Sequence, residues 1–194
     1  QPVGAVQAGA GRFTCYIESR DGGSGMQIAD DASACIVCCR DDWNRVFRNV
    51  DPQFQAARLA GTATNSGEGV IAPGELEAAG KYVLQIGRSC WYREPSLIKR
   101  ADMIQIQLGQ GASGGSGHPI GYSDLSPRVR RAFHLKKNEQ ISIHTQLPEI
   151  RNAKQLSQVV QCLRELTPVP IDIKIGAGKF LEEDMQAAID AGVD

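Results

Sequence analysis

The fold is decided by residues 171–194, IDIKIGAGKFLEEDMQAAIDAGVD. Ile171 to Ile175 alternates as a β-strand does, Gly176-Ala177-Gly178-Lys179 is a turn, and Leu181 to Ala191 has a helical pattern. That helix opens on Glu182, Glu183 and Asp184, carboxylates that suit the positive end of a helix dipole. The closing Ala191-Gly192-Val193-Asp194 is a phrase that normally leads from a helix into the next buried strand. Strand, turn, helix and the approach to another strand make the repeating unit of a parallel sheet.

The same unit recurs upstream. Asn152 to Leu166 carries Leu156, Val159, Val160 and Leu163 at helical spacing, with Asn152 placed to cap the first turn. ISIHT (141–145) predicts a strand ahead of that helix, and MIQIQL (103–108) alternates as another. KYVLQI (81–86) is a third β-rich run, Pro95 to Arg100 a short helix, and Pro73 to Glu77 another with Pro at a permitted early position. Ala56 to Ala63 reads as a helix running into a short strand at about Ala60–Thr64. Four or five strands joined by right-handed crossovers give either an open doubly wound sheet or a closed barrel. A complete (β/α)8 barrel takes about 250 residues. The chain therefore reads as α/β, an incomplete (β/α)8 TIM barrel comprising its N-terminal half, behind an irregular segment at residues 1–55. In that segment only ACIVCC (34–39) suggests a short buried strand, and WNRVFRNV (43–50) at most a short helix.

Composition narrows the function. The 194 residues are 42% hydrophobic and 22% charged, an ordinary globular mix. Lys plus Arg (21) balances Asp plus Glu (22), a net charge of −1, which argues against a nucleic-acid or membrane-surface role. No apolar run approaches the roughly 18–20 residues of a membrane-spanning helix, and the start lacks both a secretory pattern and Met. The expectation is a soluble, cytoplasmic piece of a larger protein. Four of the six cysteines (Cys15, Cys35, Cys38 and Cys39) crowd the first 39 residues. Cys35-x-x-Cys38-Cys39 supplies three thiolates, one short of a structural zinc set, so reduced thiols and no metal are expected.

In parallel α/β folds ligands collect at the C-terminal ends of the strands. Those positions hold Asn65, Ser66, Gly67 and Glu68, then Gln85 and Arg88, then Gln110 in the glycine loop 109–117 with His118 beyond it, then His144 and Gln146, and finally Lys174. Each has a plainer explanation. GQGASG (109–114) meets a dinucleotide fingerprint only loosely and reads equally as a flexible loop. Lys174 either points its ammonium at a partner or snorkels from a strand end. His144 could be a polar core residue, and Glu68 a solvated turn carboxylate.

The segments GTATNSGEG (61–69), LQI (84–86), IQLGQGA (106–112) and IKIG (173–176), in this order and spacing, resemble the FMN-binding barrel of the glutamate synthase family over about residues 56–194. The resemblance implies a flavin held across the strand ends and reduction of 2-iminoglutarate, formed from 2-oxoglutarate and ammonia, to glutamate. It implies a cofactor role for Asn65, Gly67, Glu68, Gln85 and Lys174, with Lys174 and Glu68 as the catalytic pair. Lys174 is then a cation beside the N1 edge of reduced flavin. Gln110, Gly111 and Arg88 become substrate-side residues. Electron-donor or amidotransferase subunits are the implied partners. Alternatives on the same barrel are the FMN-containing subunit of a methylamine–glutamate N-methyltransferase and a non-catalytic truncated fragment. Departures are visible: Gln107 stands where many relatives carry Lys, Ser113-Gly114 follows GQGA, and Gly87-Arg88-Ser89-Cys90-Trp91 replaces a Ser-Gly-Arg-Phe-Gly type segment. The family's iron–sulfur ligands are not matched by the cysteines at 35–39. Residues 1–55 do not resemble the family. Read one base later, the codons of Val46 to Gln55 permit a Ser-Phe-Gly-Thr-Leu-Thr type segment, so a wrong-frame translation is one hypothesis for that stretch.

Overall fold

The computed structural model describes residues 35–37, 54–67, 71, 74–88, 94–109, 118–132 and 134–194. In chain order they form β1 (Cys35–Val37), α1 (54–59), β2 (Ala63–Asn65), α2 (Glu75–Ala78), β3 (Lys81–Ile86), α3 (Pro95–Ile98) and β4 (Met103–Gln107). Then come β5 (His118–Ile120), α4 (Pro127–Ala132), β6 (Ile141–Ile143), α5 (Ala153–Leu166), β7 (Ile171–Lys174) and α6 (Leu181–Asp190). Five strands make one sheet in the order β1-β2-β3-β4-β7, every neighbouring pair parallel. The spatial order keeps to the chain order without reversal. A doubly wound sheet reverses direction at a switch point, whereas a barrel wall does not. The architecture is a partial α/β barrel.

Alternation within the strands gives the sheet two unlike faces, because successive side chains point to opposite sides. Tyr82, Leu84, Ile86, Ile104, Ile106 and Ile171 share one face and are buried in the core with Ile98 of α3, Leu156, Val160 and Leu163 of α5, and Ala188 of α6. Each Leu, Ile or Val among them contributes roughly 1.5–3 kcal/mol when fully buried. The opposite face carries Asn65, Val83, Gln85, Met103, Gln105, Gln107, Asp172 and Lys174.

The helices start and stop for local reasons. Asn152, extended at φ −161°, accepts from the Gln155 N–H and caps α5, as its sequence implies. At its far end the N–H of Thr167 donates to the Leu163 carbonyl. Buried Glu75 opens α2 and accepts from the Tyr82 hydroxyl at 2.9 Å, while the Phe54 ring lies 6.3 Å from that of Tyr82. These contacts fasten α1 and α2 to the outer face of β3.

Two expectations need correcting. ISIHT does not supply the fourth parallel strand. Its first three residues, β6, pair antiparallel with β5 in a separate two-stranded ribbon. The free edge of β4 is taken instead by β7, with the Ile104 N–H donating to Pro170 and the Leu108 N–H to Lys174. Residues 118–150 are thus an excursion between two adjacent strands. The strand after α1 also begins later than expected, at Ala63, which brings Asn65 into the sheet. Of the 1–55 segment, β1 lies within ACIVCC and pairs parallel with β2. Cys38, Cys39, the WNRVFRNV stretch and nearly all of the wrong-frame segment lie outside the described residues.

Candidate functional site

The polar face is a lattice of three rows set by strand register. Asn65 pairs with Val83, Gln85 with Gln105 and Gln105 with Asp172, and Gln107 with Lys174 nearest the C-terminal ends. Asn65, Gln85, Gln105, Gln107 and Asp172 are all buried, and Lys174 is half-buried. Burying so many polar groups on a strand face is costly unless they are partnered.

Most of that partnership runs across the sheet. The Gly67 N–H donates to Asn65 Oδ1 at 2.8 Å, Asn65 Nδ2 donates to Gln105 Oε1 at 2.9 Å, and Gln105 Nε2 donates to Asp172 Oδ2 at 3.2 Å. Gly67 sits at φ +65°, a conformation glycine adopts without strain, and this lets the chain fold its amide back onto Asn65. Ser66 fixes the neighbouring strand, since its hydroxyl accepts from the Gln85 backbone N–H at 2.9 Å. Two positions in the middle row remain unsatisfied. Both polar atoms of the Gln85 side chain lack a hydrogen-bond partner although the residue is only 4% exposed, and so does Asp172 Oδ1. Burial pushes the Asp172 carboxyl up from 3.8 to about 7, the hydrogen bond from Gln105 opposing it.

The residues singled out by sequence divide into those the sheet gathers and those it does not. Asn65, Gly67, Gln85 and Lys174 come together at the sheet. The Lys174 ammonium makes no ion pair or hydrogen bond among the described residues, while its carbonyl accepts from the Leu108 and Gly109 N–H groups. Arg88 is wholly buried just past β3 and donates to the Thr145 carbonyl at 3.4 Å, bracing that strand end against the segment after β6. Glu68, Gln110 and Gly111 lie outside the described residues. His144 and Gln146 are exposed and belong to the excursion, not to a strand end of the sheet. Gln146 instead borders a cavity of about 340 Å³ at the ends of β4 and β7, shared with Gly109, Asn152, Gly176 and Asp184 on the helix side. His118 begins β5. No group of three or more potential metal ligands occurs among the described residues.

Gln105 and Asp172 lie inside their strands, so a search confined to strand ends and the loops beyond them passes over both. A signal for them is nonetheless present: MIQIQ and IDIK alternate apolar with polar although both faces are buried. A strand covered on both sides usually reads as a continuous apolar run. Alternation without exposure marks a polar interior.

Comparison with known proteins places these residues in a family. Residues 54–194 match the family described as the conserved region in glutamate synthase. A glutamate synthase large subunit-like protein of Rhizobium meliloti is 29% identical over 142 residues, covering 72% of this chain and 32% of that protein. The archaeal-type glutamate synthase [NADPH] of Dehalococcoides mccartyi is 25% identical over 142 residues, 72% of this chain and 28% of its own. The archaeal glutamate synthase [NADPH] of Archaeoglobus fulgidus is 29% identical over 143 residues, with 72% and 28% covered. The chain thus spans about a third or less of the length of these relatives. Among solved structures, a mandelate oxidase variant bearing an FMN adduct superposes with a TM-score of 0.44 at 17% identity, covering 84% of this chain and 45% of that one. Matched along nearly three-quarters of its length, the chain belongs to the glutamate synthase family.

Proposed function

We propose that this chain is the flavin-facing part of a glutamate synthase-type oxidoreductase that holds FMN and reduces 2-iminoglutarate, from 2-oxoglutarate and ammonia, to glutamate in the cytoplasm. The observation that carries the reading is Gln85. Its carboxamide is buried with both a donor and an acceptor unused. A carboxamide is the complement of a cyclic imide edge, which offers one N–H beside one C=O, and flavin presents such an edge.

The residues present fit that group. Asn65 and Gly67 shape the end of β2, Gln85 supplies paired hydrogen bonds, and Lys174 brings a positive charge to the same face one row higher. The Lys174 ammonium, without a protein counter-ion among the described residues, would stabilise negative charge that develops on a reduced ring. Glu68, Gln110 and Gly111 join the reading as the loop residues that complete the cofactor and substrate sides, and Arg88 as the brace of the β3 end. Bound FMN would supply hydride transfer, which no side chain can perform. The iron–sulfur ligands, an electron-donor partner and an ammonia-supplying amidotransferase subunit belong to the rest of such an enzyme.

The test is reconstitution. The chain supplies only part of the barrel mouth, so on its own it should bind FMN weakly, read as quenching of the flavin's fluorescence when the two are titrated together. Gln85→Leu and Lys174→Met should each weaken binding by at least tenfold. Equal quenching by the native chain and both variants, or no quenching by any, would remove the flavin assignment.

A further inference from the structure

The hydrogen bonds of the polar face have a direction, and the direction can be read from its first member. A backbone N–H can only donate, so the Gly67 amide requires Asn65 to turn its Oδ1 toward it. That leaves Asn65 Nδ2 to donate to Gln105 Oε1, which leaves Gln105 Nε2 to donate to Asp172 Oδ2. Neither amide can be flipped without setting two donors or two acceptors face to face. Asp172 Oδ2 is therefore held as an acceptor, and a proton on this carboxyl has to reside on Oδ1. Oδ1 is the oxygen that is buried and without a partner.

We propose that Asp172 is a ligand-binding residue kept as a neutral carboxylic acid, its proton aimed from Oδ1 at a hydrogen-bond acceptor of the bound ligand, a ring carbonyl or ring nitrogen. For the identity of that ligand the proposal rests on the flavin reading; for the state of the carboxyl it does not. Asp172 and Gln85 occupy the same row with Gln105 between them, so the two unsatisfied groups belong to one stretch of the polar face.

The surroundings favour the neutral form. On β4 Asp172 faces Gln105, with Met103 and Gln107 on either side of that position, and on β3 Gln85, none of them charged. On its own strand Lys174 lies two residues away and makes no ion pair with it. Beyond these, Asp194 and Arg164 pair with each other at the N-terminal end of β7, where Asp194 accepts from the Ile171 N–H. Lys81 and Asp102 pair at the N-terminal end of β3. With the carboxyl buried, desolvation raises its pKa to about 7 despite the Gln105 hydrogen bond. A neutral acid here also leaves the Lys174 charge free for the ligand.

Two measurements decide it. In aspartate-labelled protein, the carboxyl carbon resonance that Asp172→Asn removes should titrate near 7; titration near 4 overturns the proposal whether or not any ligand binds. Riboflavin, which has no titrating phosphate, is then bound as a function of pH and followed by fluorescence quenching. Its affinity for the native chain should fall about tenfold per pH unit above 7. Asp172→Asn, which copies the protonated acid with an amide donor, should bind as the native chain does at low pH and show no such fall. Asp172→Leu should bind at least tenfold more weakly at every pH. An Asp172→Asn variant with the same pH profile as the native chain also overturns the proposal. Failure of riboflavin to bind any variant while the carboxyl titrates near 7 refutes the flavin reading, and with it the choice of ligand, but upholds the neutral acid.

Discussion

Asn65 reaches Gln105 over an entire intervening strand: the two residues sit on β2 and β4, yet Asn65 Nδ2 and Gln105 Oε1 are 2.9 Å apart. The contact ties β2 to β4 through side chains, in addition to the backbone ladder that runs through β3. It also holds the turn at Gly67 against the sheet, because the same Asn65 side chain accepts from Gly67.

Asn65→Leu should accordingly cost more than a surface substitution. It leaves Gln105 Oε1 and the Gly67 N–H buried without partners, a loss of about 2–4 kcal/mol if each orphaned group costs 1–2. Urea denaturation of the native and variant chains measures it. A loss under about 0.5 kcal/mol, the range of an ordinary surface change, would show that the relay is not intact in solution.

The Gln85 side chain predicts the opposite sign. Its carboxamide is buried and unsatisfied in the unliganded protein, so Gln85→Leu should raise stability by about 1–2 kcal/mol. The same change should weaken flavin binding. A variant that gains stability as it loses a ligand is the mark of a polar group retained for binding.

For Asp172 the sign is set by the direction of its displacement. The folded-state value, about 7, is above the ordinary 3.8, so the folded protein holds the proton where the unfolded chain has released it. Its contribution is complete below about pH 4, declines as pH rises toward 7, and is level above that. The native chain should lose stability across this window relative to Asp172→Asn, with the gap reaching on the order of 4 kcal/mol. Melting midpoints of both proteins at about pH 4.5, 6 and 8 give the comparison. Parallel curves would mean an ordinary carboxylate.

Tyr82→Phe should destabilise by about 1.5–3 kcal/mol, because the Tyr82 hydroxyl donates to a carboxyl of Glu75 that is fully buried. By contrast Lys81→Ala, which removes an exposed pair with Asp102, should cost no more than about 1 kcal/mol. Comparing the two variants by denaturant midpoint separates a buried contact from a solvated one.

Much of this is legible in the order of the residues. Lys81–Ile86, Met103–Gln107 and Ile171–Lys174 announce themselves by period and are strands of the sheet. Asn152 caps the helix that its side chain predicts. What a period cannot convey is which edge a strand joins. Ile141–Ile143 has as good a pattern as Ile171–Lys174, yet it pairs with His118–Ile120, a three-residue strand behind a run of glycines that carries no signal of its own. The site is half legible for a related reason. Gln85 and Lys174 lie near strand ends where ligands gather, but Gln105 and Asp172 matter through partners 40 and 67 residues distant along the chain. Such pairings become visible only when register is known.

The two unlike faces of the sheet also bear on how the protein reaches its native state. Were β4 to slip by one residue, Gln105 and Gln107 would be thrust among the aliphatic side chains of α5 and α6, and Ile104 and Ile106 would confront the amides. Each misplacement is penalised, one by stranded hydrogen-bonding groups and the other by forfeited apolar burial. The polar residues of the sheet thus double as proofreaders of strand alignment, discarding the wrong pairing as the chain folds.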